Sequence, residues 1–233
     1  MSAYFVTGTG TDVGKTFVAA GLVRHLYTTG EPVWALKPVV SGFDEAKAYA
    51  SDPAQLLAAM NHATSLQCIA RISPWRFAAP ISPDMAARRE EKEIDFEAVV
   101  AFCREGIATH RGTLLIEGVG GVMVPLDARH TVLDWMAALD IPAILVTGTY
   151  LGTLSHTLTA ADAMKRAGVK IAALVVNDSG DAVVTAADTA ATLGRFLPGV
   201  VIATVPRAPK DVPMAFARLA AEILHRGGQT VKN

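Results

Sequence analysis

The sequence predicts a single α/β domain with a mostly parallel central sheet and helices on both faces. Three observations carry this. Short apolar runs alternate with helical segments along the whole chain. The first run leads straight into a Gly-rich turn and a helix. Hydrophobic residues make up 51% of the 233 positions and charged residues only 18%, which fits strands covered on both faces. The length suits one large domain and is short for two, so residues 1–226 are assigned to the domain and 227–233 to a polar tail.

The first unit is a strand over Tyr4–Thr7, a turn carrying Gly8, Gly10 and Gly14, and a helix starting near Thr16. Such a turn lets successive N–H groups point at one anion, and the helix adds its positive end. Lys15 then reaches the β- and γ-phosphates and the Thr16 hydroxyl reaches Mg²⁺. The pattern G-x-x-x-x-G-K-[ST] is not literal, because Thr9 stands where its first glycine falls and Gly8 lies one residue too early. The strand before and the helix after supply the context the motif needs, so the domain reads as P-loop NTPase-like.

Thr29–Pro32 is a turn and Val33–Leu36 a strand that ends at Lys37, where open parallel sheets place their ligands. Val39–Gly42 reads as loop. Ser51-Asp52-Pro53 has the form of a helix start, so Asp52 is either a cap or a metal ligand. Ser73–Pro83, with three prolines, Trp75 and Phe77, reads as an irregular loop that either lines a pocket or packs. Asp95 caps a helix with an apolar face from Phe96 to Cys103.

Thr113–Glu117 is an apolar strand closing on an acid, followed by Gly118-Val119-Gly120-Gly121. A carboxylate there has the form of the second metal-side element of a P-loop site, since carboxylates are rarely buried unpaired. Thr131–Leu139 reads as a helix and Pro142–Thr147 as a strand; Ser155 is placed as the N-cap of a helix through Arg166, with Gly168 as its stop. Strands over Ile171–Val176 and Val200–Val205 and helices over Ala182–Phe196 and Pro213–His225 complete the alternation. Thr7, Lys37, Glu117, Thr147, Asn177 and Pro206 then share one sheet edge.

A formal net charge of −1 offers no basic field, which argues against nucleic acid as a partner. Cys68 and Cys103 lack metal or redox spacing and read as buried thiols. The histidines, His25, His62, His110, His130, His156 and His225, show no metal spacing either. The N-terminus enters a strand within a few residues, and the longest apolar stretch, near Ile141–Val146, is too short to span a bilayer. A cytoplasmic protein with no membrane partner is expected.

Gly8–Thr16, Lys37–Gly42, Ser51-Asp52, Pro80–Pro83, Glu117–Gly121, Leu151-Gly152 and Val176–Asp178, taken in order, resemble ATP-dependent dethiobiotin synthetase over nearly the whole chain. That family closes the ureido ring of dethiobiotin from 7,8-diaminononanoate, CO₂ and ATP with Mg²⁺, on a homodimer with the substrate site near the subunit interface. The resemblance implies that Thr11, Lys15 and Lys37 are catalytic. It gives Thr16, Asp52 and Glu117 to the metal and Thr11, Lys37, Ser41, Gly152 and Ser155 to the diamine. The nucleotide falls to Asp12, Val13, Gly14, Lys15, Thr16 and Phe17, to Gly118, Val119 and Gly120 beside the metal acids, and to Asn177, Asp178, Val205, Pro206 and Arg207. Gly10 stands where the family usually has an acid, and Ser155 where an Asn commonly binds the substrate carboxylate across the dimer.

Two other readings share the scaffold. A regulatory ATPase switch of the partition or site-selection kind carries an extra lysine near the start of the loop, where this chain has Thr9-Gly10-Thr11. An amide-forming ligase acting on corrinoid precursors usually appends a glutaminase domain, for which 233 residues leave no room.

Overall fold

The computed structural model describes residues 2–178, 180, 184–207 and 212–227. Six strands form one all-parallel sheet: β1 (Ser2–Gly8), β2 (Val33–Leu36), β5 (Thr113–Glu117), β6 (Ala143–Thr147), β7 (Ile171–Asn177) and β8 (Val201–Val205). Their order is β2-β5-β1-β6-β7-β8. β1 is central because Tyr4, Phe5 and Val6 are apolar in succession and are covered from both sides, Phe5 and Val6 completely.

From β1 the chain steps towards β2, and from β2 onward every step runs the other way. With right-handed crossovers, that reversal puts α1 (Lys15–Thr28) on one face and the later crossover helices on the other. α1 packs against α2 (Asp52–Ala59) and α9 (Val212–Gly227). Opposite them, α5 (Phe96–Thr109) packs on α6 (Val132–Leu139), and α7 (Thr153–Arg166) on α8 (Ala186–Phe196). The Trp135 ring of α6 meets Phe5 edge-on at 4.9 Å, which fixes α6 under the start of the phosphate loop. On the α1 face Gly21 lets α9 come close, since a Cβ there would overlap the Phe216 ring.

The helix starts follow local chemistry. Asp95 accepts from the Ala98 N–H at 3.1 Å, and Thr131 and Asp134 form a reciprocal capping box. Gly168, at φ +76°, follows α7 as expected. His62 and His110 pack against Trp34 with ring centroids 4.9 Å away in each case, and His130 stacks on Phe96.

Several expectations are corrected. Val39–Gly42 is not simply loop: β3 (Val39–Ser41) pairs in parallel with β4 (Trp75–Phe77), which lies inside the segment expected to be irregular. Three residues are too few to show a strand period, and the pairing is between distant segments. Two short helices went unread, α3 (Leu66–Ile72), capped by Ser65, and α4 (Pro83–Arg89). Ser155 is not a cap: Gly152, at φ +93°, takes that place, and Ser155 is an exposed residue of the first turn. α8 begins at Ala186 behind Thr185, later than expected, and residues 182–183 lie outside the described residues. Gly227 is the last residue of α9, and the rest of the assigned tail, 228–233, also lies outside them. No helix among the described residues is long and apolar enough to cross a membrane.

Candidate active site

The loop from Thr9 to Gly14 leaves β1 at the centre of the sheet's C-terminal edge. Gly14 has φ +94°, and a Cβ there would overlap the Asn177 side chain, so both the backbone angle and the packing demand glycine. Asn177 Nδ2 donates to the Val13 carbonyl at 3.2 Å, which latches the end of β7 to the loop. Lys15 follows directly and is 7% exposed. Its Nζ donates to the Gly10 carbonyl at 2.7 Å, inside the loop that would receive phosphate. Burial, and then the neighbouring Lys37, pull the Lys15 pKa down to about 8, against the opposing pull of Glu117, Asp52 and Asp12.

Beside this loop β2 delivers Lys37 and β5 delivers Glu117. Lys37 Nζ lies 2.5 Å from Glu117 Oε1 and 3.0 Å from Asp52 Oδ2, and also donates to the Gly118 carbonyl at 3.0 Å. Burial disfavours the Lys37 charge, but Glu117 and Asp52 outweigh it and hold its pKa above the usual lysine value. Burial pushes the Glu117 carboxyl up, with Lys37 opposing and Asp52 adding to the rise. For Asp52 burial acts upwards too, yet Lys37 prevails and holds its pKa below the ordinary carboxylate range. The cap question for Asp52 is answered by these contacts: it is the first residue of α2, Ser51 precedes it, and its carboxylate turns to Lys37.

Thr16 Oγ1 donates to Glu117 Oε1 at 2.6 Å, while Glu117 Oε2 is buried without a partner among the described residues. A buried carboxylate oxygen with nothing to accept from is costly unless a further group completes it. Thr16, Glu117 and Asp52 together offer hard oxygen donors and few of them, which fits Mg²⁺, an ion that binds one or two carboxylates and keeps other positions for phosphate and water.

Glu117 lies buried against Lys37 and Thr16, while Thr16 and Asp52 line a cleft of about 760 Å³. Thr11, Asp12, Gly14, Lys15, Thr16, Phe17, Lys37, Ser41, Asp52, Val119 and Gly120 all line it. Ser41, at the end of β3, has a buried hydroxyl with no partner among the described residues. Pro80–Pro83, which follow β4, and Val124 complete the lining, with Pro80 packed against Gly42. Two other concavities, of about 740 and 650 Å³, lack this convergence. In the first, His130 and Asp127 are paired with each other at 2.8 Å, and the second is mostly apolar and lies between α1, α2 and α9.

The remaining expected residues lie elsewhere. Val13 is buried in the loop, and Gly118 contributes its carbonyl to Lys37. Asp178 N–H donates to the Val205 carbonyl at 3.0 Å, and the Arg207 side chain lies over Gly180, so Asn177, Asp178, Val205, Pro206 and Arg207 form a group at the ends of β7 and β8 that meets the phosphate loop through Asn177. Gly152 and Ser155, exposed at the start of α7, do not line the cleft. The sequence reading missed Val40, Gly42 and Val124 as lining residues, together with the hydroxyl cluster of Thr9, Thr147, Thr153 and Thr157. The signal for that cluster was the threonine spacing on α7, which places Thr153 and Thr157 one turn apart.

The AAA domain family matches residues 2–215. The chain is 52% identical over 178 residues to a protein of Acidiphilium cryptum (strain JF-5) named ATP-dependent dethiobiotin synthetase BioD, covering 76% of this chain and 80% of that one. A protein of the same name from Caulobacter sp. (strain K31) is 46% identical over 208 residues, 89% of each chain. Among solved structures, the septum site-determining protein MinD complexed with Mg-ADP from Pyrococcus horikoshii OT3 matches with a TM-score of 0.59 at 16% identity, over 99% of this chain and 100% of that one. The MinC:MinD cell division complex of Aquifex aeolicus gives 0.60 at 12% identity, over 100% of this chain and 98% of that one. Identities this low show the fold alone.

Proposed function

Because the chain belongs to the ATP-dependent dethiobiotin synthetase family, we propose that its cleft joins 7,8-diaminononanoate and CO₂ at the expense of ATP and closes the ureido ring of dethiobiotin. The chain is an ATP-dependent enzyme of biotin biosynthesis, and the oxygen donors of Thr16, Asp52 and Glu117 support Mg²⁺ as its metal. The observation that carries the mechanism is the pairing of Lys37 with Asp52 and the buried Glu117, with Lys15, Lys37 and Asp52 all lining the cleft beside the phosphate loop.

One amine of the substrate adds to CO₂ and loses a proton, giving a carbamate. A carbamate oxygen attacks the γ-phosphorus and ADP leaves. The second amine then attacks the carbonyl carbon of the mixed anhydride, expelling phosphate and closing the ring. Two anions must approach each other in the second step, and Lys15 and Lys37 supply positive charge where negative charge accumulates. Thr16, Asp52 and Glu117 would hold Mg²⁺, which would supply further neutralisation of the phosphates. Thr11 and Ser41, which both line the cleft, are assigned to the reacting end of the diamine, where their hydroxyls would hold it near attack geometry. The group at the ends of β7 and β8, including Asn177, Pro206 and Arg207, is assigned to the adenine.

The substrate carboxylate is assigned to the α7 turn around Gly152 and Ser155, in a homodimer in which this turn serves the neighbouring cleft. The fully exposed Leu151, with Leu154 and Met123 also exposed, supports a face that is covered by a second copy. With ATP as a substrate, the enzyme is placed in the cytoplasm.

The test is to supply diamine, Mg·ATP and ¹³C-labelled CO₂. The proposal requires one labelled carbon in the cyclic product, and an unlabelled or uncyclised product would refute it.

A further inference from the structure

Between the phosphate loop and the first turn of α7, side chains are joined in one line of hydrogen bonds. His156 Nδ1 lies 3.0 Å from Tyr150 Oη, and Tyr150 Oη lies 3.2 Å from Thr9 Oγ1. Thr9 Oγ1 is 3.1 Å from Thr147 Oγ1, which is 2.8 Å from Thr153 Oγ1. The line ends where Thr153 donates to the Gly148 carbonyl at 2.7 Å.

That last bond sets the direction of all the others. A carbonyl only accepts, and each hydroxyl has a single proton to give. With the Thr153 proton committed to Gly148, Thr147 donates to Thr153, Thr9 to Thr147, Tyr150 to Thr9, and the His156 Nδ1–H to Tyr150. Thr157 reverses none of these links, since its single proton is shared between the Thr153 carbonyl and Thr147 Oγ1, and Thr147 has a lone pair to spare. Thr147, Thr153 and Thr157 are buried, so a reversed link would leave a buried polar atom unsatisfied. The anchor is equally firm, because the Thr9 N–H donates to the Val146 carbonyl at 2.9 Å. At the other end the His156 ring lies over Gly152, where a Cβ would stand 3.7 Å from Cε1 and 3.8 Å from Nε2.

We infer that Tyr150 is a positioning residue: its hydroxyl, tying Thr9 of the phosphate loop to His156, fixes the shape of the α7 turn and so its grip on the substrate tail. This rests on the assignment of that tail to Gly152 and Ser155 above. Tyr150 itself takes no part in phosphoryl transfer.

The test is kinetic and spectroscopic. Tyr150→Phe should raise the diamine KM about fivefold, the weight of one hydrogen bond, with kcat and the nucleotide KM within about twofold of wild type. Thr9→Val should raise the diamine KM likewise, Thr9→Ser should restore it, and Tyr150→Phe with Thr9→Val should be no worse than either alone, because one line is broken in both. In ¹⁵N NMR the neutral His156 ring of the wild type should be protonated at Nδ1, and Tyr150→Phe should lose that preference. A diamine KM unmoved in Tyr150→Phe, a nucleotide KM rising in step with it, or an Nε2–H ring in the wild type would each overturn the inference. A diamine lacking the carboxylate separates the two readings. If the wild type binds it as well as the natural diamine, the tail assignment falls and this inference with it. If the wild type discriminates and Tyr150→Phe leaves the natural KM unmoved, this inference alone falls.

Discussion

Lys37 and Glu117, 80 positions apart in the chain, form a buried ion pair of 2.5 Å at the C-terminal ends of the neighbouring strands β2 and β5. Their side chains are 3% and 1% exposed, so neither charge has water to fall back on. Removing one partner therefore leaves a buried charge uncompensated. Lys37→Ala should destabilise the metal-free protein by about 3–5 kcal/mol, read by urea unfolding, and Mg²⁺ should recover part of the loss because Glu117 would regain a cation. The same substitution should lower kcat by about 10²–10³, as for loss of a fixed electrostatic donor. Wild-type stability without metal would show that the pair is not formed in solution.

Lys15 gives a pH dependence with a defined sign. In the free protein its pKa is lowered to about 8, by burial and by Lys37, whereas bound phosphates favour the protonated ammonium. Below that pH free and bound forms both hold the proton, and this group contributes no slope. Above it the free protein has lost the proton and nucleotide binding must take one up, so affinity falls by up to about tenfold per pH unit. Calorimetry in buffers of different ionisation enthalpy should find proton uptake at about pH 9 and little at about pH 7; no uptake at the higher pH contradicts the assignment.

The capping box of α6 should be visible in acid stability. Burial acts to raise the Asp134 pKa, but bonds from Thr131 prevail and hold it below the ordinary value. A carboxylate with a depressed folded pKa contributes stability above its unfolded pKa and loses it as pH falls through the folded one. Asp134→Asn should therefore cost about 1 kcal/mol near neutrality and progressively less in acid, measured by unfolding at several pH values. An equal cost at every pH would assign the effect to packing.

Burial pushes the Cys103 thiol up to about 12, and Cys68 is only half-buried. In the native protein a thiol reagent should modify Cys68 alone, with Cys103 reacting only after unfolding. Early modification of Cys103, followed by peptide mass, would show that α5 opens from the sheet.

The central strands were legible because each is an apolar run closing on a residue whose chemistry is out of place in a core, as with Glu117 after Leu114, Leu115 and Ile116. Lys15, Thr16, Lys37 and Asp52 were legible as separate candidates for the same reason. The ion pair between Lys37 and Glu117 was not, because it depends on β2 and β5 being neighbours, which no local pattern states. β3 and β4 escaped notice because three residues carry no period, although their pairing brings Ser41 and Pro80 side by side into the lining of the cleft. Ser155 misled because serine is a common cap, whereas the left-handed backbone at Gly152 starts the helix earlier.

The central claim is that phosphoryl transfer from ATP serves carbamate activation, and the stoichiometry of ADP release tests it most directly. With diamine, CO₂ and Mg·ATP together, one ADP should appear for each dethiobiotin formed, and omitting either diamine or CO₂ should reduce ADP release to background. ADP release at the full rate without diamine would contradict the account and favour an ATPase switch on the same fold.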